Sequence, residues 1–146
     1  MTKFFSIVIT SILSGSIALA CHGGEVDKGT TPQPGDKTKQ YCLSDETSVC
    51  SFIWFQSHIN SNTPGKFVVK VLGAELNGTD VKVDLWMDMG NGHGHGSAPV
   101  KMTEISQNTY QIEEAHFIMA GEWLVRVQFT LNGKLAKIEI PVYVSE

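Results

Sequence analysis

The stretch from Val81 to Met89 limits the possible folds more than any other part of the chain. Val81, Val83, Leu85, Met87 and Met89 fall on one face, and Lys82, Asp84, Trp86 and Asp88 on the other. A period of two is the signature of a half-buried strand, because successive side chains of a strand point to opposite sides. The rest of the chain beyond Cys50 has the same texture. Phe52-Ile53-Trp54-Phe55, Phe67 to Leu72, Pro99 to Thr103, Tyr110 to Met119, Trp123 to Thr130 and Leu135 to Val144 are short runs rich in β-branched and aromatic residues. Turn residues divide them: Asn60 to Gly65, Asn77-Gly78, Asn108, Gly121 and Asn132-Gly133. About seven strands at such spacing, with no helical period, predict an all-β, immunoglobulin-like antiparallel β-sandwich. Pro141 cannot donate to a ladder, so the last run is expected at a sheet edge or a bulge.

The N-terminus has a different character. Residues 1–20 hold one cation, Lys3, and no acid; an apolar run from Phe4 to Leu13 leads into Ala18-Leu19-Ala20-Cys21. A charged start, a short apolar stretch and small residues at the exit form a secretory signal, too short to span a bilayer comfortably. A cysteine at that exit resembles the lipobox of bacterial lipoproteins, which implies acylation of Cys21 and a membrane anchor. The alternative is an ordinary signal peptide cleaved nearby. Residues 21–40, polar and without apolar periodicity, are expected to be the lipidated cysteine and a flexible tether, with the domain spanning 41–146. Loss of residues 1–20 moves the formal charge from −4 to −5, because it removes Lys3 alone. A mildly acidic domain without a Lys/Arg cluster excludes nucleic acid as the expected partner.

Cys42 and Cys50 bracket a short polar turn. Outside the cytoplasm the simplest expectation is a disulfide; a pair of soft metal ligands is the alternative.

Met87-Asp88-Met89-Gly90-Asn91-Gly92-His93-Gly94-His95-Gly96-Ser97 stands apart from the rest. Thioethers are soft donors suited to Cu(I), and imidazole suits Cu, Zn and Ni. The run is expected to be a strand end entering a glycine-rich loop, with Met87 and Met89 as fixed donors and His93 and His95 as adjustable ones. His116 and Met119 would join them if the end of their strand approaches that loop. The competing reading makes the methionines core residues, the glycines carriers of positive φ and the histidines solvated loop residues. Met102 and His58 lack clustering partners and are read as structural. Arg126 is expected to cap the sheet face or pair with a carboxylate. No Gly-x-Ser-x-Gly, His-Glu-x-x-His or phosphate-binding glycine loop is present, so no enzyme is expected.

The run from Trp86 to Val127 resembles the YtkA-like domain family, related to the periplasmic part of FixH proteins. The matching elements are Met87-x-Met89-Gly90, His93-Gly94-His95-Gly96-Ser97-x-Pro99-Val100, the Tyr110 strand, and Phe117-x-Met119-x-Gly121-Glu122-Trp123-x-Val125-Arg126-Val127. The resemblance implies an exported immunoglobulin-like sandwich. Through FixH it implies a link to copper handling and cytochrome oxidase assembly. The chain departs from FixH in having no membrane helix after its N-terminus and in carrying the Cys42–Cys50 segment.

Two functions follow as expectations. The first is a non-catalytic, copper-binding lipoprotein that faces the periplasm, anchored in the outer membrane of a Gram-negative cell, and that buffers copper or passes it to a copper-dependent envelope protein. The second is an envelope protein-interaction module with a purely structural Gly/His loop.

Overall fold

The alternation read from Val81 onward is realised in a computed structural model that describes residues 24–43 and 48–146. The signal-peptide residues and Cys21, His22 and Gly23 lie outside the described residues. Val83 and Leu85 are buried, with Lys82 exposed and Asp84 half-buried on the opposite face. Among the described residues nine strands form: β1 (Tyr41–Cys42), β2 (Cys50–Phe55), β3 (Gly65–Leu72), β4 (Lys82–Gly90), β5 (His93–Gly96), β6 (Lys101–Ser106), β7 (Thr109–Ala115), β8 (Gly121–Leu131) and β9 (Lys134–Val144). The two beyond the expected seven are the two-residue β1 and the four-residue β5.

The strands make two antiparallel sheets, β1-β2-β3-β7-β6 and β5-β4-β8-β9. This is the immunoglobulin arrangement: β2, β3, β7 and β6 stand in the order A-B-E-D, and β4, β8 and β9 in the order C-F-G. Their inner faces enclose one core containing Ile53, Phe55, Phe67, Tyr110, Phe117, Trp123, Val125, Phe129 and Ile140. Phe117 and Trp123 meet edge to face, with ring centroids 5.5 Å apart. Pro141 sits in β9, an edge strand, as its missing N–H requires.

Asn132-Gly133 closes the β8–β9 hairpin with φ of 51° and 76°, the left-handed pair that a two-residue turn needs. Asn77-Gly78 does not make a hairpin. Asn77 caps a 3₁₀ turn, Gly78–Asp80, because β3 and β4 belong to different sheets and the chain must cross between them. The Asn108 side chain holds this crossover, accepting from the Leu76 N–H at 3.1 Å and donating to the Ala74 carbonyl.

Cys42 and Cys50 are disulfide-bonded, opposite each other in the β1–β2 register.

The segment expected as a tether is not one from Gly24 onward. Residues 35–38 run beside β2: Gly35 N–H donates to the Phe55 carbonyl at 2.8 Å, Phe55 N–H to the Asp36 carbonyl at 2.9 Å, and Thr38 N–H to the Ile53 carbonyl at 3.0 Å. Thr38 is buried, and its hydroxyl oxygen accepts from the Ile53 N–H at 3.0 Å. Val26 packs on the core. Hydropathy missed this strap because its backbone makes the contacts, and backbone pairing leaves no side-chain pattern. The strap also covers the edge of β2, which would otherwise offer unpaired backbone groups to another chain.

Candidate metal-binding hairpin

The first donor pair is positioned by register. Met87 lies directly opposite His95 across β4 and β5, and Trp86 lies opposite Gly96. Directly opposed residues of an antiparallel pair hold their Cβ atoms about 5 Å apart on the same face. Met87 and His95 therefore project side by side, and His93, two residues along β5, projects on that face too. The glycine-rich stretch is thus a strand rather than a flexible loop, and both histidines are mounted on it.

The turn at the tip is Asn91-Gly92, with φ of 53° and 76°. The register shifts between Asp88 and Gly90, so Met89 is the extra residue of a bulge. Such a residue is left outside the ladder. Met89 is 54 % exposed, so the core reading of that side chain does not hold. Gly90 takes φ +79°, and its N–H donates to Asp88 Oδ1 at 2.8 Å.

The glycines of the run divide: Gly90 and Gly92 carry the expected positive φ, whereas Gly94 and Gly96 lie in β5. Neither Gly94 nor Gly96 has a positive φ. Instead, a Cβ on Gly94 would stand 2.4 Å from Trp86 Cζ2. The indole lies over β5 on the face opposite the histidines, with the Arg126 guanidinium 4.6 Å from its ring centroid on that same sheet face. Arg126 Nε donates to Asp84 Oδ1 at 2.6 Å, the carboxylate pairing anticipated for this cation, and Gln128 Nε2 donates to Asp84 Oδ2 at 3.0 Å. The alternation puts Trp86 on the outward face, where it is found, but its demand on β5 does not follow from that alternation. The available signal was a large aromatic on a polar face facing a His-Gly-His-Gly run.

The second group comes from the β7–β8 connection. The β7 strand ends at Ala115, after Glu114 at φ +56°, so His116 and Met119 lie on a loop and not on a strand end. Two contacts tie this loop and the start of β8 to the hairpin end, and a third fastens the loop to β8 itself. Ser97 Oγ donates to the His116 carbonyl. Trp123 Nε1 donates to the Met119 carbonyl at 2.9 Å. Met87 Cε lies against Gly121, where an added Cβ would come within 2.7 Å. Met119 is half-buried and His116 is exposed. The Trp123 bond, made from the start of the F-position strand back to a carbonyl four residues upstream, does what a tyrosine corner does in immunoglobulin domains.

Among the described residues no three His, Cys, Asp or Glu side chains converge. A metal held here would thus need thioether sulfur beside imidazole. The disulfide removes Cys42 and Cys50 as thiolate donors. The constellation is a surface one. A cleft of about 460 Å³ between the strap and β9, and a groove of about 340 Å³ between β4 and Val100–Met102, are lined by none of Met87, Met89, His93 or His95.

Fold and hairpin together define an immunoglobulin-like sandwich that carries a Met/His cluster at one end. Residues 56–128 match the YtkA-like family over half of the chain, and the protein belongs to that family. The matched span runs through β3 to β8 and includes both the hairpin and the 116–121 loop. No curated protein and no solved structure matches the chain at a significant level.

Proposed function

We propose that the protein is a non-catalytic envelope lipoprotein that binds copper for buffering or for delivery to a copper-dependent envelope protein. The observation that carries this reading is the register that sets Met87 beside His95 on an exposed hairpin. His93 and Met89 extend the donor set toward the tip, and Met119 and His116 lie on the loop tied to the hairpin base. Mixed thioether and imidazole donors favour Cu(I), whereas a closed zinc site is normally built from thiolates, imidazoles and carboxylates. Cys21 supplies the membrane anchor and the signal peptide the export, with the periplasmic face of the outer membrane as the destination.

The second reading, a protein-interaction module with a structural hairpin, draws on Gly94 and its close contact with Trp86. That contact accounts for Gly94, and positive φ accounts for Gly90 and Gly92. It assigns no role to the imidazoles on the opposite face.

Cu(I) titration of the mature chain carrying Cys21→Ser separates the two. The copper reading expects about one Cu(I) per chain. His93→Ala/His95→Ala should weaken binding at least about tenfold, or about 1.4 kcal/mol. Stability should stay within ~0.5 kcal/mol, as is usual for exposed substitutions. Affinity should also fall as pH is lowered, because imidazole binds a metal only when neutral. A double variant that binds as tightly as its parent removes the histidines from the site, and a parent that binds no copper at micromolar concentration leaves the interaction module standing.

A further inference from the structure

The position of Gly24 orients the molecule. Its carbonyl accepts from the Lys37 N–H at 2.9 Å, and Lys37 bridges to Trp54 next to the end of β2. Phe55 pairs with Phe67, Gly65 with Ala115, and Gly121 with Val144. The end of β2, the start of β3, the end of β7, the start of β8 and the end of β9 therefore share one end of the sandwich. The β4–β5 hairpin is at that end as well, since β4 runs antiparallel to β8 and pairs Trp86 with Leu124. The chain thus enters the fold at the Met/His end.

Two residues lie between Cys21 and Gly24, three peptide steps with a reach of at most about 11 Å. The sandwich is far longer than this leash. The ten steps of β8 from Gly121 to Leu131 span about 33 Å at strand rise. If Cys21 carries lipid, the opposite end of the domain cannot rest on the anchoring membrane.

Exposed apolar side chains agree with this orientation. Six large hydrophobic residues are exposed among the described residues: Trp54, Met89, Ile105, Ile118, Leu135 and Tyr143. Ile105 and Leu135 lie near the far turns, next to the Ser106–Thr109 and Thr130–Leu135 pairs. The other four are at the Gly24 end. Trp54 and Tyr143 project from the outer faces of β2 and β9, each between two buried neighbours near that end, and Met89 and Ile118 sit by the hairpin tip and on the loop beside it. Trp and Tyr favour the headgroup region, where an apolar ring and a polar edge are both accommodated. Of the cations at that end among the described residues, Lys37 Nζ stands 5.3 Å from the Trp54 ring centroid, and Lys66 and Lys101 are both engaged by Glu113, so attraction to anionic lipid is not the driving term.

We propose that this end is a lipid-docking face. With Cys21 acylated, Trp54, Tyr143, Met89 and Ile118 rest in the headgroup layer of the anchoring membrane, and the Met/His hairpin is held against that membrane instead of facing away from it. The inference depends on the lipoprotein reading of Cys21 and is independent of copper.

The test uses the mature protein purified from membranes and placed in phosphatidylethanolamine/phosphatidylcholine vesicles. Its intact mass is read first; a chain without acyl mass lacks the leash and overturns the proposal, whatever the copper titration gives. Ile118→Cys and Leu135→Cys are then labelled separately with an environment-sensitive fluorophore, the native disulfide being unreactive. Headgroup-nitroxide lipid should cause loss of emission at position 118 and none at 135. Equal loss at both positions, or loss at 135 alone, overturns the proposal. So does self-quenching at 118 that falls as protein is diluted in the bilayer, which would mark the face as a contact between copies. Met89→Ser/Tyr143→Ser, both exposed changes, should reduce the loss at 118; an unchanged loss would mean that these side chains do not dock.

Discussion

Gly94→Ala tests whether Trp86 dictates the His-Gly alternation of β5. The new methyl would stand 2.4 Å from Trp86 Cζ2, 2.6 Å from Cε2 and 2.8 Å from Nε1, so the indole must move. Moving it off Arg126 forfeits a cation–π contact worth about 0.5–1 kcal/mol at a partly exposed site. Uncovering roughly 50 Å² of ring adds about 1.2 kcal/mol at 25 cal/mol/Å². Removing a glycine from a strand returns roughly 0.5 kcal/mol of backbone entropy. The net cost is about 1–2 kcal/mol, a fall in urea midpoint of roughly 1 M for a slope in the usual range. Gly96→Ala is the control. Its Cβ would meet Trp86 Cε3 and Cζ3 at 3.7 and 3.8 Å, ordinary contact distances, so that variant should match or slightly exceed the parent in stability. In a Trp86→Ala background Gly94→Ala should lose its cost, a non-additivity that reports direct contact. Equal costs for the two glycines in urea unfolding of the Cys21→Ser chain would refute the argument.

Met89→Ala should change stability by under ~0.5 kcal/mol, because the bulge leaves its side chain exposed. A loss of about 2–5 kcal/mol on denaturation would instead mark it as core. Half-buried Met87, packed against the core, should cost roughly 1–2 kcal/mol on the same change. Cys42→Ser/Cys50→Ser should lower stability by about 2–3 kcal/mol, and alkylation of the native protein should find neither thiol free. Glu113 has its carboxyl held below the usual glutamate range by hydrogen bonds from Lys66 and then Lys101. With the folded value depressed, its contribution is present above the unfolded carboxylate value and is lost as pH falls through the folded one. Glu113→Gln should therefore flatten the acid limb of a stability–pH profile, and an unaltered limb would show that the exposed triad contributes nothing.

The periodicity of two from Val81, the strand runs and the Asn-Gly turn at 132–133 were sufficient for the sandwich, because alternation and left-handed turn residues are local properties of the chain. The pairing of Cys42 with Cys50 and the edge position of Pro141 were legible for the same reason: each follows from a few neighbouring residues and a chemical rule. The Met/His cluster could be singled out as a composition, but its geometry could not. Whether Met87 meets His95 depends on the β4–β5 register, and whether Met119 approaches them depends on a β7–β8 loop fastened by Trp123 and Ser97. Gly94 of β5 answers to Trp86 on the neighbouring strand, so its cause lies across a sheet and not along the sequence. The strap at 24–40 was hidden for a related reason. Its hold on β2 runs largely through backbone N–H and C=O groups, which every residue carries alike and which only a folded partner strand makes specific.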